Sequence, residues 1–144
     1  MSKRQDIIDE IDDFFGDIQG LTVFCWKTTE ISQGDLPAVV YRDTECTRVT
    51  DDSAVMGAYT WDMRVEIEIY ATGASESDCA AGLRSSVDDI IDAIGTGCNT
   101  QWSGNATFTE ISDTIKFEIE RKEYVIGRAI FGMNVRYTTD LFST

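Results

Sequence analysis

Carboxylates and thiols are the side chains with chemical reach in this 144-residue chain, which holds 26 Asp and Glu, 4 Cys and no His. Glu66 and Glu68, and again Glu118 and Glu120, stand two residues apart, which places each pair on one side of an extended strand. Arg64, Lys116, Arg121 and Lys122 lie close to them in sequence. Cross-strand charge pairing on a wet sheet face therefore accounts for the pattern, at ~0.2–1 kcal/mol per pair, without a reaction. Cys25, Cys46, Cys79 and Cys98 form no CxxC clip, and Cys25 sits inside the apolar run Val23-Phe24-Cys25-Trp26. They read as buried or inert free thiols rather than as metal ligands. The missing histidine removes the commonest general base near neutral pH, and with it the usual serine and cysteine hydrolase triads. No GxGxxG or GxxxxGK[ST] stands in the right context. The expectation is a protein that is not an enzyme and takes no cofactor or metal.

The totals narrow the class further. A formal net charge of −14 argues against a sequence-independent grip on nucleic acid, which depends on Lys and Arg displacing phosphate counterions. With 42% apolar and 26% charged residues the chain has the composition of a folded domain, and residues 1–144 read as one unit. No apolar run approaches the ~20 residues that span a bilayer, and the stretch MSKRQDIIDEIDD has no signal-peptide core. A cytoplasmic location is expected.

The element that must organise the chain is Tyr59–Thr72. Trp61, Met63, Val65, Ile67, Ile69 and Ala71 alternate there with Asp62, Arg64, Glu66, Glu68 and Tyr70, the signature of a long strand with one dry and one wet face. A first helix opens at Ser2, with Gln5 three residues on, and carries Ile7, Ile8, Ile11, Phe14, Phe15 and Ile18 at helical spacing. Asp6, Asp9, Glu10, Asp12, Asp13 and Asp17 form its solvated side. Leu21–Trp26 reads as a short strand, and Pro37 introduces another over Ala38–Asp43, which Cys46–Thr50 either extends or follows as a separate strand. Asp51–Ala58 is either a hairpin loop or an arm ordered only against a partner. Ser75 and Asp78 cap a second helix striped by Ala80, Leu83, Val87, Ile90, Ile91 and Ile94, closing at Gly95 or Gly97. The remainder is β: Ala106–Ile111, Thr114–Ile126 with a turn at Gly127-Arg128, and a last strand through Phe131, Met133, Val135 and Tyr137. The predicted fold is α+β, a two-layer sandwich in which a mostly antiparallel sheet of five to six strands packs on two helices.

The segment Leu36-Pro37-Ala38-Val39-Val40-Tyr41, then Thr60-Trp61 leading into Val65–Tyr70, then a capped amphipathic helix, resembles the tail-terminator proteins of long-tailed bacteriophages, the lambda minor tail protein U type. The likeness runs over nearly the whole chain, although after Trp102 it lies in strand pattern more than in residues. It implies a structural virion protein that forms a six-fold ring on the tail tube, ends tube polymerisation and presents the surface for head joining. Its partners are then copies of itself, the tail tube protein and the head-tail connector, and its place is the virion tail after assembly in the host cytoplasm. DNA passes through the lumen without specific binding. Two neighbouring readings are another head-tail connector or tail-completion protein and a small α+β ligand-binding domain.

A ring built this way repeats one heterologous interface until it closes. Loops carried by a rigid sheet are the expected contacts, here Arg48, Asp51, Asp52 and Met56 in one and Gln101 and Trp102 in the other. Trp102 reads alternatively, and preferably, as the lid of the core. The acidic excess and the wet strand face suggest that Glu66, Glu68, Glu118 and Glu120 line the lumen and keep the genome off its wall.

Overall fold

The computed structural model describes residues 2–27, 29–49, 58–96, 101–102, 104–112, 114–121 and 123–140. Its spine is an antiparallel pair of long strands, β3 (Ala58–Gly73) and β6 (Val125–Asp140), in continuous register from Ala58↔Asp140 to Gly73↔Val125. β2 (Ala38–Arg48) lies antiparallel along the other side of β3, and β1 (Thr22–Cys25) pairs with β2 in parallel. β4 (Phe108–Ile111) and β5 (Lys116–Arg121) follow one another along the outer side of β6, both antiparallel to it. The result is a six-stranded, mostly antiparallel sheet, which with its two helices makes the α+β fold that the alternation in β3 predicts.

Both helices cover the same face. α1 (Lys3–Gly16) buries Ile7, Ile11 and Phe15, and α2 (Glu76–Ile94) buries Cys79, Leu83, Val87, Ile90 and Ile94. They meet Val39 and Tyr41 of β2, the odd-numbered residues from Met63 to Ala71, and Ala129 to Tyr137 of β6 in one apolar core. Both N-caps form as the sequence requires: Ser2 Oγ accepts from the Gln5 amide at 3.1 Å and Ser75 Oγ from the Asp78 amide at 3.2 Å. Gln5 turns forward to Asp9 (2.9 Å) instead of back to the cap, so only half of the capping box is present. Tyr41 and Tyr137 are buried, with hydroxyls that reach side chains of α1. Tyr41 donates to Asp12 at 2.6 Å, and Tyr137 accepts from Arg4 at 3.3 Å beside the Cys46 thiol at 3.2 Å. Burial pushes the Tyr137 phenol up to about 12, helped by Cys46 and opposed by Arg4.

Two sequence expectations change, and a choice left open is settled. Gly127-Arg128 does not turn the chain; the reversal falls between Arg121 and Val125, and both residues lie inside β6. Gly127 is there because a Cβ at that position would stand 2.7 Å from Cys79 Sγ. Cys25 is exposed rather than buried, because β1 is the edge strand and ends there. Of the two readings open for Cys46 onward, the extension holds: Cys46–Arg48 continue β2 past a bulge between Asp43 and Glu45.

Gly73, at the far end of the same contact, lets α2 start against the sheet: a Cβ there would lie 2.6 Å from the Cys79 amide nitrogen, a backbone atom that cannot swing away. Gly82, exposed on α2, has nothing within 4 Å of its virtual Cβ. Urea unfolding should therefore separate the two. Gly73→Ala is expected to lose about 1–3 kcal/mol through overpacking, and Gly82→Ala to gain about 0.5–1 kcal/mol through helix propensity. Equal effects would contradict this account of the helix–sheet contact.

Candidate functional site

The face of the sheet away from the helices holds the even-numbered side chains of β3, because strand side chains alternate. Asp62 and Arg136 are directly opposed in register and form a two-pronged pair, Nε to Oδ1 at 2.8 Å and Nη2 to Oδ2 at 2.9 Å. The Arg136 guanidinium also lies 5.2 Å from the Phe108 ring centre. Further along, Glu68 is the hub. Arg42 approaches its Oε1 at 3.1 Å and Arg128 at 3.9 Å, and Tyr70 donates its hydroxyl to Oε2. Arg128 goes on to pair with Glu118. The carboxylate of Glu118 and the Tyr70 phenol hold the Arg128 guanidinium above its ordinary value despite partial burial.

This hub is 7% exposed because one corner of the far face is partly covered. Residues 29–37, with a single 3-10 turn at Gln33–Asp35, fold over it and pack Ile31 and Leu36 on Ala38, Val40, Phe24 and Tyr70. A groove of about 500 Å³ opens beside them, lined by Glu30, Ile31, Tyr70, Glu118, Ile126 and Arg128. Within it the Arg128 guanidinium binds the Glu118 carboxylate, a cross-strand pair that ties β5 to β6. Among the described residues no three His, Cys, Asp or Glu side chains are placed to hold a metal ion.

The sequence-predicted residues fall in different places. Glu68, one of the lumen candidates, is a buried, doubly paired hub in the single chain. Glu66 is half-buried opposite Gly132, while Glu118 and Glu120 are exposed on β5. Arg48 is exposed at the end of β2 with its guanidinium 4.7 Å from the Tyr59 ring centre. Trp102 is 2% exposed, donates to Thr109 at 2.7 Å and meets Phe14 edge to face at 5.6 Å. Its side chain is the core lid, so of these two candidate residues Gln101 is the exposed one. Asp51, Asp52 and Met56 lie outside the described residues.

The acidic excess is concentrated on the helix layer. α1 with Asp17 carries six carboxylates against Lys3 and Arg4, and α2 carries five against Arg84, so the helix layer alone holds −8 of the −14. The far face instead interleaves Arg42, Arg64, Lys116, Arg128 and Arg136 with its glutamates and Asp62.

The sequence alone does not say which strands form the edges of the sheet. β2 runs seven residues beyond β1, so Arg42–Arg48 has no strand on its outer side among the described residues. At the opposite edge all six residues of β5 are exposed. Charged side chains on both, and the bulge in β2, are the usual guards against indiscriminate pairing. Trp26 sits beside the first edge, 50% exposed, at φ 59°, with its indole N–H donating to Asp43 at 2.8 Å. A bulky residue in that region costs roughly 1–3 kcal/mol, which the surrounding structure must offset. The polar residues directly after Trp26 were the available signal that the strand stops there.

No protein-family model matches this chain, and neither does any curated protein.

The Tyr70 phenol is pushed above its ordinary value, first by burial and then by its bond to Glu68, with Arg128 opposing. A raised folded value means that the contribution to stability is complete below about pH 10 and is lost as pH rises through the folded value. Wild type should lose stability more steeply than Tyr70→Phe above about pH 10, read by chemical denaturation at a series of pH values. Parallel curves would remove Tyr70 from the network.

Proposed function

We propose that this chain is a structural virion protein that caps the tail tube of a long-tailed phage as a ring, ends tube polymerisation and provides the surface for head joining. The observation that carries the reading is that one rigid sheet ends in two unlike open edges, Arg42–Arg48 of β2 on one side and β5 on the other. Two different complementary edges make a head-to-tail contact, and such contacts close into rings when the rotation permits. The resemblance carried by Leu36–Tyr41, Thr60-Trp61 and the Ser75-capped helix supports the same role. Its neighbours in the particle are then further copies of itself, six in all, the tube protein below and the head-tail connector above, with DNA in the lumen.

The charge pattern sets conditions on assembly. Subunits of −14 repel one another in dilute salt and associate more readily as screening shortens the reach of that repulsion. The far face, where Glu66, Glu118 and Glu120 stand among cations, makes a mixed wall; the helix layer makes the strongly acidic one.

The test adds the purified chain to polymerising tubes of the same phage and follows tube length by electron microscopy. Arrest at one end, with a ring of uniform diameter on that end, is the expected result. Rings that leave growth unaffected assign a connector role instead. Absence of rings both on tubes and at about 0.5 M salt, where the screening length is only a few ångströms, overturns the reading.

A further inference from the structure

The two edges carry a knob and a hole. At one, Trp26 holds an indole in water at 50% exposure in a backbone conformation that bulky residues rarely adopt, its rotamer secured by the bond to Asp43. At the other, Phe117 and Ile119 are 48% and 38% exposed and, with Ala80, Leu83 and Arg84 of α2, line an apolar notch of about 330 Å³. The register shows that both lie on the helix-covered side. Asp43 is opposite Val65, and Phe117 and Ile119 are opposite Ala129 and Gly127, all of which belong to the face that α1 and α2 pack on. A neighbour that continues the sheet keeps its helices on the same side, so the knob of one copy and the hole of the next come to the same side of the joint.

We infer that Trp26 of one copy seats in the notch between α2 and β5 of a second copy, with Asp43 beside Arg84. Charge argues for this occupant. Asp43 accompanies the indole, and Arg84, exposed at the rim, has no ion-pair partner among the described residues. The Arg84 guanidinium gains both a carboxylate and an aromatic face in the joint. The indole enters with its rotamer already selected, so little side-chain freedom is lost on docking. The inference gives the ring reading its contact, and rests on that reading only for the number of copies.

Native Cys25, exposed next to Trp26, supplies the probe. Phe117→Cys, checked for folding by circular dichroism, is treated with copper-phenanthroline. The oxidant takes two electrons from the Cys25 thiol of one copy and the thiol introduced by Phe117→Cys in the next, as the disulfide forms and two protons leave. The expected result is a covalent ladder that vanishes in Phe117→Cys/Cys25→Ser, drops at least about ten-fold with added Arg84→Glu, and survives Arg84→Lys. A ladder that climbs to a closed ring supports the contact and the ring together. One that stops at the dimer supports the contact and overturns the ring. Oligomers by light scattering with no Cys25-dependent ladder overturn the contact and leave the ring standing, and a chain that stays monomeric throughout overturns the contact.

Discussion

The fold depends on the register between β3 and β6. A slip of one residue would carry Met63, Val65, Ile67 and Ile69 to the polar side and Arg64, Glu66 and Glu68 into the core, because side chains in a strand alternate strictly. The pairing is therefore held from both faces at once. On the helix side Gly73 and Gly127 admit α2 so closely that only the correct phase presents hydrogen in place of Cβ to Cys79. On the far side Asp62 finds Arg136 directly across and Glu68 finds Arg128 one pair removed. Apolar packing supplies the driving force, and the ion pairs select among alignments that packing alone would rank closely.

The layer that covers the core is thus also the charged one. Helices with stripes as regular as those of α1 and α2 leave their remaining positions to solvent, and those positions are filled mainly with Asp and Glu. The sheet's outer face, which in isolation reads as the acidic surface, is largely neutralised by arginines drawn from β2 and β6. Counting charges along one strand misses this, since Arg42, Arg128 and Arg136 reach their partners on β3 across long stretches of sequence, 74 residues in the case of Arg136 and Asp62.

Much of the architecture was legible in the sequence. The alternation in β3, the two serine caps and the helical stripes state their structures locally. What was not legible depends on neighbours. Gly127 reads as a turn residue until α2 is seen above it, Cys25 reads as core until β1 is known to be the edge, and Glu68 reads as wet until residues 29–37 fold across it. The same holds for the candidate surface. Trp102 shows in the structure which of its two readings applies, whereas Trp26, in a run of apolar residues, gave no hint that its ring stands in solvent.

β4 and β5 occupy the same lane beside β6, yet they are not one strand. Five positions from Ile111 to Lys116 span only the three from Met133 to Ile130, and Ser112 holds the step, its amide bonded to Gly132 O at 2.7 Å and its hydroxyl accepting from the Gly132 amide at 3.0 Å. A straight border would let an adjoining strand glide along it and come to rest at several offsets of equal merit. A jog in the border leaves a single alignment in which both halves are satisfied, so the interruption that makes this lane look imperfect acts as an index mark for whatever is laid against it.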